Sequence, residues 1–309
     1  MNRPSLCLVG PTAVGKSASA LILAERLGAE IIAVDSMQVY RGLDLGTGKP
    51  TAAERARVPH HLVDVVGLEE SFDAARFVEL ASAAVAEIRR RGRLPLLCGG
   101  TGFYLRAWLE GLGRSPAASP ALRAELEATP LPELCRELEA RDPVTFARLD
   151  RTNPRRVVRA LEVIRLTGRP YSAQRAAWSS GTASADLTVL GLAREPADLR
   201  QRVDARVEAM FDAGLVCETR ALLERGLARN RTAMQAIGYR QVVEHLEGVR
   251  NLEETRALVK SRTWQFARRQ ATWFRHQLPV TWLHVAAPES AEAVAERILT
   301  RLRGLADGE

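Results

Sequence analysis

Cysteine is scarce: four residues in 309, at Cys7, Cys98, Cys135 and Cys217, far apart and without a CxxC pair. That excludes a disulfide framework and a zinc-finger ligand set, and reduced thiols in a cytoplasmic protein are expected. No apolar run reaches the roughly 20 residues of a membrane span. Met1-Asn2-Arg3-Pro4 passes straight into the first apolar stretch, so no signal peptide and no membrane association are expected. Internal repeats and low-complexity tracts are missing too. With 46% hydrophobic residues the chain can bury one large core and a smaller satellite domain. Acidic residues are outnumbered, giving a net charge of +7 and an isoelectric point near 9.7. This permits a polyanionic partner such as RNA, although arginine richness can equally reflect genome composition. One further absence is local. The strand expected at Leu94–Cys98 ends without a carboxylate, which argues against an ATP-hydrolysing motor.

What is present is a glycine-bounded loop, Gly10-Pro11-Thr12-Ala13-Val14-Gly15-Lys16-Ser17, between an apolar run from Leu6 to Val9 and a helical stripe of Ala20, Leu23, Ala24 and Leu27. Strand, loop and helix in that order form a Walker A pattern. Its amides turn toward one point, Lys16 adds a charge, and Ser17 offers a hydroxyl to a phosphate-bound Mg2+. The loop therefore grips a di- or triphosphate. Whether the phosphates belong to ATP or to another diphosphate substrate stays open on pattern alone.

Glu30–Val34 reads as a buried strand delivering Asp35-Ser36-Met37-Gln38 at its carboxyl end, where open α/β sheets place ligands. There Asp35 either accepts a proton or supports a metal. The segment from Arg41 to Pro50, with its glycines and Lys49, suggests an ordered anion-facing loop. His60 and His61 begin a strand and point to opposite sides, as structural histidines rather than metal ligands. Asp73 to Arg91 carries a helical stripe ending in Arg89, Arg90 and Arg91, expected to be cap and solvent. The Leu94–Cys98 strand runs into Gly99-Gly100-Thr101-Gly102, which admits close ligand approach and presents the Thr101 hydroxyl.

Residues 115–186 change texture to Pro- and Ala-rich polar helices, including a weakly amphipathic stretch from Ala121 to Glu139. The fold class expected is α/β: a P-loop-type parallel sheet flanked by helices, residues 1–114 and 187–309, with an inserted all-helical subdomain. Within the insertion, Asn153-Pro154 launches a helix that carries Arg155, Arg156 and Arg159 near one face, either solvated or facing RNA. A strand at Leu187–Leu192, a helix bearing Arg202 and Arg206, a strand at Val280–Val285 and a helix from Ala291 to Leu302 complete the core. The late helix sets Trp264, Ala267, Ala271 and Phe274 on one side and Arg262, Arg268, Arg269 and Arg275 on others. Those arginines are the expected RNA contacts.

Taken in order, the Walker A loop, Asp35-Ser36-Met37-Gln38-Val39-Tyr40, Gly46-Thr47-Gly48-Lys49-Pro50, Pro59-His60-His61-Leu62-Val63-Asp64, Gly99-Gly100-Thr101-Gly102, Asn153-Pro154-Arg155-Arg156, Gln235-Ala236-Ile237-Gly238-Tyr239 and Arg269-Gln270-Ala271-Thr272-Trp273-Phe274-Arg275 resemble the bacterial tRNA dimethylallyltransferases across nearly the whole chain. The resemblance implies transfer of a dimethylallyl group from dimethylallyl diphosphate to the exocyclic amine of the adenosine 3′ of the anticodon. The acceptors would be tRNAs reading codons that start with U, and the loop would hold the donor's diphosphate. It implies Asp35 as proton acceptor, with Lys16, Ser17-bound Mg2+, Thr12 and Thr101 at the leaving group. Asp35, Ser36, Met37 and Gln38, together with Arg159, Ala160, Leu161, Glu162 and Val163, would line the anticodon stem-loop. Gln38 would hold a flipped adenine, and Thr101 and Arg123 would lie near the RNA. At Arg123 many relatives carry lysine. A monomer is expected. The rival readings are a transferase acting on free adenine nucleotides, a small-molecule P-loop kinase, and an RNA-binding module without activity.

Overall fold

The sheet is wholly parallel, and its register explains where the ligand loops gather. The structure, a computed structural model, describes residues 5–112, 116, 119–175 and 187–307. Its strands are β1 (Ser5–Val9), β2 (Ala29–Val34), β3 (His60–His61), β4 (Leu94–Gly99), β5 (Leu187–Ala193) and β6 (Thr281–His284), in the order β3-β2-β4-β1-β5-β6. β1 and β2 are buried along their whole length, as strands covered on both faces must be. Val9 and Val34 both pair with Gly99. The three central strands therefore end level, and Gly10, Asp35 and Gly100 leave the same edge.

The first helices are α1 (Lys16–Leu27), α2 (Ala52–Arg57), α3 (Ala74–Arg90) and α4 (Gly102–Glu110). α1 stops at Gly28 in the left-handed conformation. α3 starts where the Asp73 carboxylate accepts the amides of Ala75 and Arg76, and it buries Phe77, Ala81, Val85 and Ile88. Arg90 and Arg91 are exposed, as expected, and two of the three terminal arginines are also paired. Arg91 donates to both oxygens of buried Glu30, at 3.2 and 2.7 Å, and Arg89 donates to Ser5 Oγ. His60 is tied to Val58 O and His61 to Glu30, the structural role expected. The strand they open ends at once, because Leu62 and Asp64 adopt φ of 60° and 58°, outside any extended conformation.

The chain divides into two compact units, Met1–Trp108 with Ala183–Glu309, and Leu109–Thr182. The composition puts the joints slightly later, at positions outside the described residues. The helical unit holds α5 (Pro120–Ala128), α6 (Leu131–Arg141), α7 (Pro143–Arg148), α8 (Pro154–Thr167) and α9 (Tyr171–Arg175). The Ala121–Glu139 stretch is two helices rather than one, since Pro130 lacks the amide a continuous helix needs. Leu126, Leu134, Leu138, Val157, Val158, Leu161 and Ile164 form this unit's core. The larger unit resumes with β5, α10 (Pro196–Asp212), α11 (Leu215–Glu224), α12 (Tyr239–Leu246), α13 (Leu252–Gln277), β6 and α14 (Ala291–Asp307). Among the described residues, no helix is long and apolar enough to cross a membrane.

Candidate active site

The loop from Gly10 to Ser17 is held from its carbonyl side by cations. Lys16 Nζ donates to Pro11 O at 2.6 Å, Arg202 Nε to Ala13 O at 2.9 Å and Arg194 Nε to Val14 O at 2.9 Å. With those carbonyls engaged, the loop can present amides to an anion. Gly10 is required twice over. Its φ is 141°, and a Cβ there would lie 2.6 Å from Leu192 O. Gly15 and Ala13 also have positive φ, 110° and 65°, which gives the loop its curl. Ser17 is exposed in the first turn of α1, while Val14 is fully buried.

Asp35 leaves β2 and folds back on its own turn. Its Oδ1 accepts the Met37 amide at 2.8 Å and the Gln38 amide at 3.2 Å, an Asx turn. The Ser36 amide donates to Thr101 Oγ1 at 3.2 Å, and the Thr101 amide donates to Val34 O, so the β2 and β4 ends are stitched together. Gln38 Nε2 donates to Thr47 O and Gly48 O, at 3.3 and 3.2 Å. With that amine engaged, Gln38 offers an incoming group its acceptor Oε1.

The 45–48 loop that receives Gln38 is itself anchored. Glu218 accepts the Leu45 amide, Tyr239 Oη accepts the Gly46 amide at 3.1 Å, and Tyr239 donates to Glu218 at 2.5 Å. Lys49 corrects the expectation of an anion-facing loop. Its buried ammonium is taken up by Tyr40 O, Asp44 and Asp64 at 2.6–2.8 Å, because two carboxylates and a carbonyl already satisfy its three donors.

Thr12, Lys16, Ser17, Asp35, Gln38 and Arg206 line one cavity of about 610 Å³ in the larger unit. Burial lowers the Lys16 ammonium to about 8, although Cys98 and Asp35 support its charge. Burial also raises the Asp35 carboxyl above its ordinary value, partly offset by the Met37 and Gln38 amides and by Lys16 and Arg206. Arg206 NH2 donates to Thr47 O at 3.2 Å. An acid, a lysine and an arginine around an amide nest are an arrangement able to receive an anionic group with a proton acceptor beside it.

The cavity and the bracing of its loop use residues to which sequence patterns gave no site role. Arg194, Arg202 and Arg206 follow β5 without a motif, and the only hint was the i,i+4 spacing of the last two. Gln270 is a polar residue on the buried side of α13, with Ala267 and Phe274. Its Oε1 accepts the Thr12 amide at 2.8 Å, so that amide is withdrawn from any ligand. Arg262, Arg268, Arg269 and Arg275 lie exposed on α13, and Arg268, Arg269, Trp273 and His276 line a separate groove of about 520 Å³.

In the helical unit, Arg123 and Arg159 both donate to Glu162 Oε2, at 2.7 and 2.6 Å, and the Ser119 amide donates to Oε1. Arg159 also reaches Pro116 O. Ala160, Leu161, Glu162 and Val163 are fully buried. Their side chains offer no outer surface here, unlike the RNA-lining role expected of them, because this whole turn of α8 is enclosed. The half-exposed arginine pair is what solvent meets.

Residues 38–277 match the model of the IPP transferase family. The chain belongs to that family. It is 49% identical over 283 residues to a tRNA dimethylallyltransferase of Halorhodospira halophila, covering 90% of this chain and 91% of that protein. A tRNA dimethylallyltransferase of Geobacter metallireducens is 48% identical over 278 residues, covering 89% and 90%. The crystal structure of a full-length tRNA isopentenylpyrophosphate transferase from Bacillus halodurans superposes with a TM-score of 0.71 at 38% identity, covering 99% of both chains. A eukaryotic dimethylallyltransferase captured acting on tRNA gives 0.85 at 26% identity, covering 99% of this chain and 80% of that one. The family match begins at Gln38, so the reading of the phosphate loop rests on its own geometry.

Proposed function

We propose that this member of the IPP transferase family moves a dimethylallyl group from dimethylallyl diphosphate to the exocyclic amine of the adenosine next to the anticodon of tRNA. The observation that carries the reading is the pairing, in one cavity, of an amide-and-cation nest with two acceptors, Asp35 and Gln38 Oε1. An adenine amine has two N–H bonds and a delocalised lone pair. Two acceptors suit the first feature, and a proton acceptor compensates for the second. The amine nitrogen bonds to the allylic carbon, the carbon–oxygen bond breaks toward diphosphate, and Asp35 takes the proton. Lys16, Arg206 and the loop amides meet the charge that builds on the departing diphosphate.

Magnesium fits this site as a partner of the diphosphate. Ser17 lines the cavity, and among the described residues no cluster of three or more His, Cys, Asp or Glu competes for it. Mg2+ commonly takes one or two protein oxygens with phosphates and waters. Ser17 would hold it, and its charge would ease diphosphate departure.

The acceptor base must leave its stack to reach the cavity. The exposed arginines and Trp273 of α13 suit the backbone phosphates and unstacked bases of an anticodon loop. The test offers purified protein magnesium and dimethylallyl diphosphate with either an anticodon stem-loop or free AMP, and reads products by mass spectrometry. Prenylated adenosine in the stem-loop supports the reading. Modification of AMP alone, or of neither acceptor, overturns it.

A further inference from the structure

The Gln270 side chain joins the two halves of the cavity. Its Oε1 accepts the Thr12 amide in the phosphate loop at 2.8 Å, and its Nε2 donates to Gly100 O at 3.0 Å. Gly100 precedes Thr101, whose hydroxyl oxygen accepts the amide of Ser36, the neighbour of Asp35. Hydrogen bonds and the Gly100–Thr101 peptide link therefore connect the loop proposed for the leaving group to the turn holding the proton acceptor. Gln270 is its only side-chain amide, and it is nearly inaccessible at 8% exposure. A Cβ at position 100 would lie 2.2 Å from Nε2, so glycine there makes room for the amide.

We infer that Gln270 is a positioning residue: it fixes the phosphate loop relative to the Thr101 and Asp35 turns. This rests on the reading of the loop as a diphosphate site. Both ends of the amide are used, an acceptor toward Thr12 and a donor toward Gly100, so neither a hydrocarbon nor a carboxylate of equal length replaces it. Glutamate at this position keeps the acceptor, sets a negative oxygen against Gly100 O, and places charge beside the nest. Protonation restores the missing donor and removes the charge.

The test measures binding of inorganic pyrophosphate with Mg2+ by calorimetry to wild type, Gln270→Met and Gln270→Glu, from about pH 5 to about pH 8. Dividing each variant's affinity by the wild-type value at the same pH removes the ligand's own titration. Gln270→Met is expected to bind about tenfold more weakly at every pH, as loss of two directed hydrogen bonds implies. Gln270→Glu is expected to bind weakest at the alkaline end and to recover toward wild type as the pH falls. A purely structural role would not give that recovery. Gln270→Glu keeps the shape of glutamine, so it answers the question even where the methionine variant does not fold. Wild-type-like affinity in both variants, a pH-independent Glu ratio, or absence of pyrophosphate binding by wild type each overturns the inference. Pyrophosphate binding without prenylation of RNA overturns the proposed function instead and leaves the Gln270 measurement standing.

Discussion

Replacing Asp35 by asparagine isolates its chemistry from its structure. Oδ1 accepts two amides, Met37 and Gln38, and an asparagine carbonyl accepts the same pair, so the turn survives. What disappears is the ability to take a proton. General-base assistance contributes about 10²–10⁴ in rate, equivalent to about 3–5 kcal/mol of barrier. Because burial already raises the Asp35 carboxyl above its ordinary value, wild-type turnover should show an acid limb above the normal carboxylate range. That limb should be lost in Asp35→Asn. Single-turnover prenylation of an anticodon stem-loop, followed against pH with saturating donor, measures both effects. Stem-loop affinity should change less than about threefold, since asparagine keeps a polar group of equal size. A rate within tenfold of wild type, or an unchanged acid limb, refutes the assignment.

Lys16, lowered to about 8 by burial, must be protonated to meet diphosphate. Thus kcat/KM for the prenyl donor should fall as the pH rises through about 8, in initial-rate measurements at fixed RNA. Tyr239→Phe leaves the Gly46 amide without its acceptor, which should cost about 1–3 kcal/mol in urea unfolding. It should also raise KM for the stem-loop through the loop that holds Gln38. Glu162→Gln removes the carboxylate shared by Arg123 and Arg159 and should lower stability by about 2 kcal/mol at neutral pH. Burial raises the Glu162 carboxyl, but the two arginines and the Ser119 amide hold it below its ordinary value. Its contribution is therefore present above the unfolded carboxylate pKa and lost as pH falls through the folded one. The gap between wild type and variant in thermal melts should close in acid.

The parallel sheet and the loop edge were legible because buried strands and a glycine loop write themselves locally. Val9, Val34 and Gly99 ending level is the register that places Asp35 by the nest. What escaped the sequence is pairing across distance. Gln270 meets Thr12 across 258 positions and Arg194 meets Val14 across 180. Periodicity assigns a face to a residue, not a partner. Lys49 was misread for the same reason, since Asp64, 15 residues on, neutralises a charge that appeared free. The start of β3 was legible, but its end after two residues was not, because nothing in the sequence marks Leu62 and Asp64 as left-handed.

Asp35 had two readings from sequence, proton acceptor or support for a metal, and the two make different predictions. Magnesium is commonly held through one or two protein oxygens together with phosphates and waters, so a lone carboxylate suits either role by its type alone. One oxygen of Asp35 is occupied by two amides of its own turn. Lys16 and Arg206 also favour its charged form against the burial that opposes it. Those features suit a carboxylate that can take up a proton at the edge of the cavity. The two roles respond differently to metal concentration. If Asp35 acted through magnesium, Asp35→Asn would weaken metal affinity, and excess Mg2+ would restore the rate. Acting as a base, it leaves the magnesium midpoint for prenylation within about twofold of wild type, and no concentration of the ion recovers the lost turnover.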